Sequence, residues 1–479
     1  MPGPGRSTRR CRSINPAASY QVKSNRDRSC LAARRPLALV AVVLATLGCG
    51  PAAYAEDLTE VLRLARRHDP TYLEAKSDYQ AEKETLPQAR ALLLPNLSAA
   101  ANRTRFDDET TRKNTITGAQ VTEDVNYTSK GYSLSLTQPL YNAALFSGLK
   151  QAKVTVRKAQ AEFAAAEQAL FIRVAEAYFG LLLAHVGVDL AVAEKTANKT
   201  QLDLANARLE VGLGTITDVH DAKARYELAE AQEIEAANAL DDAREALREL
   251  TARTIEQVAR PRPGYPLVSP DPPDIDIWMQ KALAQNLSVI AAEAGADIAR
   301  QEIRRQRAGH FPTVDIVGSS SSDDDARSAL TPNIEIDRDS NSIGVEPNLP
   351  LIQGGLVNSL TAEAKHRYDA AMQAYERERR NTVRTTRSAY LGVSSGVKRI
   401  RALNQAVIAS ESALEAKQEG FQAGIETNID VLNAQRDLFR AKRDYIDAHY
   451  DYIINILLLK QAAGILAESD LLEINKWLE

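Results

Sequence analysis

Two kinds of apolar spacing alternate along this chain. Phe163, Ala166, Leu170, Val174, Ala177 and Leu181 step by three and four residues, and Leu438, Ala441, Tyr445, Ala448 and Tyr452 do the same. That spacing is the seam of a coiled coil, and alanine at seam positions lets helices approach closely. Elsewhere the period is two. Tyr132, Leu134 and Leu136 alternate with Ser133, Ser135 and Thr137. Ile343, Val345, Leu349 and Leu351 alternate with Gly344, Glu346 and Asn348, and Val314 and Ile316 flank Asp315. Leu97, Ala99 and Ala101 form the weakest of the four patterns. Period two predicts strands, here at about 96–106, 129–141, 312–321 and 341–352, with polar, acidic loops at about 107–129 and 321–341. Long helices are predicted at about 143–252 and 355–464. No proline interrupts residues 140–260 or 351–479, although the chain has 19. The first helix, about 143–211, would be ~100 Å long at ~1.5 Å per residue. A helix of that length cannot bury itself in a compact domain, so a tubular or fibrous assembly follows.

The chain is an internal duplication. Leu94 and Pro95 align with Phe311 and Pro312, and Pro139, Leu140 and Leu145 align with Pro350, Leu351 and Leu356. The sharpest match sets Gly212, Thr215, Asp218 and Val219 against Gly424, Thr427, Asp430 and Val431, all at an offset of 212. Each copy, about 56–265 and 266–464, predicts a short helix, one of about 22 residues, two strands, a very long helix and a shorter one. A proline-rich connector (Pro261, Pro263, Pro266, Pro270, Pro272, Pro273) lies between them.

Four strands cannot close a membrane barrel, which needs about eight. Lipid also forbids an open edge. Either the strands form a small soluble sheet or several chains share one barrel. The sequence offers no uninterrupted run of 18 apolar residues after residue 55, so any membrane residence must be through strands.

Residues 1–55 read as a signal peptide. Arg34 and Arg35 precede an apolar run at 37–47 and a small-residue site, Ala53-Tyr54-Ala55, which is the order of a cleaved leader. A second reading cleaves before Cys49 and lipidates its thiol. The leader carries nine of the 59 basic and one of the 63 acidic side chains. That leaves 50 and 62, a net charge of −12. A nucleic-acid binder would carry a basic surplus. All three cysteines (Cys11, Cys30, Cys49) fall in the leader, and a cysteine-free remainder suits an exported protein that uses no disulfides.

Candidate chemistry is sparse. The six histidines are scattered singly, with no metal-ligand spacing. Gly212 and Gly214 mimic a phosphate loop but lack the third glycine and the Lys-Ser/Thr, so they predict a helix-hairpin turn, as does Gly424. Asp218 and Asp430 each follow a Gly-x-x-Thr turn; they either cap a helix or present charge at the tip of a hairpin. No cofactor, metal site or catalytic constellation is expected.

Residues 91–97 (ALLLPNL), 135–141 (SLTQPLY), 175–180 (AEAYFG), 211–218 (VGLGTITD), 349–355 (LPLIQGG) and 424–434 together resemble the TolC family of outer-membrane efflux and type I secretion channels. The resemblance covers residues 56 to about 475. It implies a mainly α chain with a membrane β-barrel. In a homotrimer, three chains close twelve strands in outer-membrane lipid, and a coiled-coil α-barrel continues across the periplasm. A mixed equatorial belt would include 465–479. It implies a passive exit duct working with a periplasmic adaptor protein and an inner-membrane pump of ABC, RND or MFS type. The family's periplasmic gate would fall on Asp430 and Asp218. Three positions depart from its pattern: Asn433 where the second ring aspartate stands, Glu426 for the clamp arginine and Phe421 for the clamp tyrosine. The resemblance thus implies a cation-attracting Asp430 ring with Glu426 as an added acidic layer. Thr215 and Thr427 complete the tip turns. A periplasmic adaptor and a structural coiled-coil fibre are the alternatives.

Overall fold

The computed structural model describes residues 56–262, 265–325 and 336–478. The expected leader, with Cys49 and the cleavage site, lies outside the described residues. The first copy runs α1 (Leu58–His68), α2 (Pro70–Lys83), α3 (Thr85–Ala91), β1 (Asn96–Lys113), β2 (Gln120–Asn142), α4 (Ala143–Glu210) and α5 (Ile216–Thr251). The second runs α6 (Ile275–Gln285), α7 (Leu287–Arg307), β3 (Thr313–Asp325), β4 (Ile336–Asn348), α8 (Leu356–Gln422) and α9 (Asn428–Ala462), with α10 (Glu468–Asn475) at the end. The long helices have 68 and 67 residues, and their partners 36 and 35. The duplication read from sequence is therefore a duplication of structure.

Side-chain caps set many of the boundaries. Asn142 accepts from the amides of Ala144 and Leu145 and starts α4 at the end of a strand. Asp69 caps α2 through the Tyr72 amide and also pairs with Arg173 of α4 at 2.6 Å, although only 2% of it is exposed. One expected helix is two. The 22-residue helix of the first copy breaks at Glu84, where the Thr85 hydroxyl donates to the Glu82 carbonyl and Pro87 has no amide to give the preceding turn.

The strands form one antiparallel sheet in the order β1-β2-β3-β4. One face carries Ser98, Ser135, Ser319 and Ser342 in a single cross-strand row, two of whose pairs are joined by hydroxyl bonds of 2.7 and 2.8 Å. The other face carries Leu97, Leu136 and Ile343, then Leu134 and Tyr132, and ends at a charged row of Arg103, Lys130, Asp324 and Asp337. Tyr132 and Ile343 on that apolar face are exposed. The strands outrun their predicted length. β1 continues to Lys113 and β2 begins at Gln120, so most of the expected 107–129 loop is ladder. Beyond Phe106, residues 107–113 of β1 are all polar or charged, so backbone pairing persists there without a period-two signal in that strand. Leu349 and Leu351, by contrast, leave the sheet beside Pro350. Pro139 sits where the β2–β3 register shifts, at a bulge that needs no amide.

The helices lie side by side in one layer. On the sheet side its order is α2 and α3, α4, α7, α8. On the far side it is α5, α4, α9, α8. The shared core sits at the crossover, where Leu170, Tyr178, Leu181 and Leu182 of α4 meet Val397 and Ile400 of α8 and Tyr452, Ile453 and Leu457 of α9. Burying each such side chain stabilises by about 1.5–3 kcal/mol. The middle of α4 is long and apolar enough to cross a membrane, yet half of that stretch is buried. It is the core helix of this crossover.

The connector wraps the crossover as a belt. Its carbonyls, in irregular backbone, accept hydrogen bonds from Tyr178 (to Ala259, 3.0 Å), Tyr452 (to Val268, 2.9 Å), Trp278 (to Pro272, 2.9 Å) and Tyr390 (to Pro273). Buried main-chain groups need such partners. The C-terminal segment joins it through a bridge between Pro261 and Leu478, and Trp477 stacks on Tyr265.

Candidate functional site: the two hairpin tips

Each long helix reverses through five residues. After α4 the Gly212 amide donates to the Leu209 carbonyl and the Leu213 amide to Arg208. After α8 the Gly424 amide donates to Phe421 and the Ile425 amide to Gly420. This is the Schellman pattern at both tips. It puts Gly212 and Gly424 at φ of +76° and +75°, a region that glycine enters without cost.

The capping boxes are also identical. Thr215 accepts from the Asp218 amide at 3.2 Å, and the Asp218 carboxylate accepts from the Thr215 amide at 3.0 Å and hydroxyl at 2.8 Å. Thr427 and Asp430 repeat every bond, the amide contact again at 3.0 Å. Both aspartates therefore cap helices. The Thr427 hydroxyl, with its amide, holds the Asp430 carboxyl below the usual aspartate range. Both carboxylates remain partly exposed at the turn, so capping and charge at a tip coexist.

The tips differ one residue away. A Cβ on Gly214 would lie 3.1 Å from the Arg208 Cβ and the Leu209 amide. In the second copy the bulk changes sides: Gly420 stands in Arg208's place and Glu426 in Gly214's, and a Cβ on Gly420 would meet the Glu426 Cγ at 2.6 Å. Glu426 turns back to Lys417 at 2.8 Å. Lys417 thus offsets the charge that the expected second acidic layer assigns to Glu426.

Phe421 and Asn433 link the two hairpins. The Arg208 guanidinium lies 4.1 Å above the Phe421 ring, and Arg225 donates to Asn433 at 2.9 Å. Between and beyond them, Ala205, Ala222 and Leu432 form a small buried cluster, and Gln435 donates to Asn198 at 3.4 Å. Farther along, Glu194 faces Arg443 at 3.9 Å, and burial raises its carboxyl above the usual range. None of Arg208, Arg225 or Asn198 stands out in the sequence, because each partner lies more than two hundred residues away. The apolar tip residues were missed too: Val211 (68% exposed), Leu213 (79%) and Ile425 (81%) project from the turns. Their signal was legible as hydrophobic residues beside turn glycines.

The sequence matches the family described as outer membrane efflux protein over residues 61–253 and again over 278–465. The chain is 34% identical over 446 residues to the outer membrane protein TolC of Vibrio cholerae serotype O1, covering 92% of this chain and 97% of that one. It is 31% identical to the alkaline protease secretion protein AprF of Pseudomonas aeruginosa, covering 88% and 86%. Among solved structures, the outer membrane protein VceC from Vibrio cholerae superposes with a TM-score of 0.70 at 21% identity, over 85% of this chain and 96% of that one. The CmeC outer membrane channel of Campylobacter jejuni gives 0.71 at 16% identity, over 88% and 89%. Twice matched along one duplicated chain, the sequence belongs to the outer membrane efflux protein family, a channel for efflux or secretion in the outer membrane of Gram-negative bacteria.

Proposed function

We propose that three copies of this chain form a passive exit duct. A periplasmic adaptor and an inner-membrane pump of ABC, RND or MFS type recruit it, and its two hairpin tips gate it. The observation that carries this reading is an apolar-faced sheet with two unpaired edges, β1 and β4, which is continuous with helices of 68 and 67 residues. Exposed strand edges in lipid leave amides and carbonyls without partners, and three four-stranded sheets joined edge to edge leave none. The alternatives, a periplasmic adaptor and a coiled-coil fibre, have no use for such a sheet.

In the gate, Asp430 and Asp218 stand at the turns, with Asp430 around the threefold axis, where its charge attracts cations. Arg208 on Phe421 and Arg225 on Asn433 take over the cross-hairpin fastening that Glu426 cannot provide. The exposed Val211, Leu213 and Ile425 offer an adaptor its apolar contact. Native mass spectrometry of the detergent-extracted protein tests the assembly, with three chains expected. Export assays in cells whose own channel of this family has been deleted test the duct. A folded monomer, or a trimer that restores no export with its matched adaptor and pump, would overturn the proposal.

A further inference from the structure

The helical layer has two free edges on the sheet side, and their charges are opposite. At one edge, α8 buries Thr382, Thr386 and Ala389 and exposes Arg377, Arg380, Arg384 and Arg387. These four are spaced by three and four residues, so they form one exposed stripe opposite the buried Thr382, Thr386 and Ala389, with Arg384 bordering a cavity that α4, α7 and α9 also line. Arg380 reaches back to Glu376 and Arg384 to Asn381. Arg377 and Arg387 form no ion pair among the described residues. At the other edge, α2 buries Tyr72 against α4 and exposes Glu74 and Asp78, one turn apart, with the small Ser77 and Ala81 beside them. Neither acid forms an ion pair among the described residues, and Lys76 and Lys83 lie on the opposite flank of the helix.

The two stripes also stand at one level. The Tyr72 and Tyr79 rings of α2 pack on Phe163 of α4, at 5.7 and 5.3 Å. A cavity of about 640 Å³ is lined by Ala165 and Ala169 of α4, Leu287 of α7, and Asn381 and Arg384 of α8. The acidic edge and the arginine edge therefore flank the same stretch of α4 from opposite sides of the layer. Opposite charges at equal height, on the two ends of one layer, fit each other only across a boundary between copies.

We propose that the seam between neighbouring copies is ionic at this level: Arg377 and Arg380 of one copy engage Glu74 and Asp78 of the next, with Arg384 and Arg387 extending the basic side. This rests on the three-copy assembly proposed above. The contact is head to tail, so each copy contributes both edges and every seam of the closed ring is the same.

The test uses the full-length protein in detergent, followed by native mass spectrometry across a salt series. The paired change Arg377→Glu with Arg380→Glu should raise the trimer's dissociation constant on the order of tenfold, as should Glu74→Arg with Asp78→Arg. Combining all four should restore most of the loss. All three native cysteines lie in the first 55 residues, so new thiols report cleanly. Glu74→Cys with Arg380→Cys should cross-link neighbouring copies under mild oxidation, whereas Lys76→Cys with Arg380→Cys should not. A wild-type trimer whose stability ignores both reversals, and which the first thiol pair fails to cross-link, would overturn the seam while leaving the trimer standing. A monomeric wild type would defeat the assembly itself.

Discussion

The two hairpin tips are built from one turn and carry different chemistry. Both share the left-handed glycine, the Schellman bonds and the Thr-Asp capping box. At the next contact they part. The first tip keeps a large cation, Arg208, beside Gly214; the second keeps a large anion, Glu426, beside Gly420 and neutralises it with Lys417. Duplication preserved what the backbone demands and released what side chains decide. The released positions are those that join the tips, because Arg208 could reach Phe421 only from a copy that kept its bulk on the α4 side.

Transplanting bulk should break this arrangement most strongly. Gly214→Glu places a Cβ against Arg208 and Leu209, and overpacking of this kind costs about 1–3 kcal/mol. Gly420→Arg should do the same against Glu426. Adding Arg208→Gly to Gly214→Glu removes the contact with the Arg208 Cβ but leaves that with the Leu209 amide, and should recover part of the loss. Thermal unfolding of the purified protein, with limited proteolysis at the turns, checks all three variants.

The caps come next. Thr215→Ala and Thr427→Ala should each cost about 1 kcal/mol, and equally, since the two boxes are superimposable in their bonds. Unequal losses in denaturant titrations would show that one box has a neighbour the other lacks. Smaller again is the link between tips. Phe421→Leu removes the ring beneath Arg208 and should cost about 0.5–1 kcal/mol, whereas Phe421→Tyr should cost almost nothing.

The smallest effect is with pH. The Thr427 bonds depress the Asp430 pKa in the folded protein. Its stabilising contribution is therefore complete above the ordinary aspartate value of about 3.9 and is lost as pH falls through the lowered folded value. Asp430→Asn should flatten that acid limb of the stability curve, and an unchanged limb would assign it to other carboxylates.

The tips also show what a sequence can and cannot disclose. The 212-residue offset, the glycines and the Thr-Asp pairs were legible because local backbone geometry demands those residue types. Arg208 on Phe421 and Arg225 on Asn433 were not, because no local rule couples residues of separate hairpins. The sheet divides the same way. Its lower rows announced themselves by alternation at Leu134 and Leu136, while residues 107–113 are all polar or charged and are strand only through backbone pairing with 120–126. The break between α2 and α3 was written in Thr85 and Pro87, but the surrounding helical residues outweighed it.

Single-channel recording in planar bilayers tests most directly the proposal that these tips gate an exit duct. Wild-type protein should give a small, cation-selective conductance that trivalent cations block. Arg208→Ala with Arg225→Ala, which releases both cross-hairpin links, should raise that conductance several-fold, whereas Asp430→Ala should weaken selectivity and block without dissolving the trimer. A wild-type conductance that neither variant alters would contradict a gate at the tips.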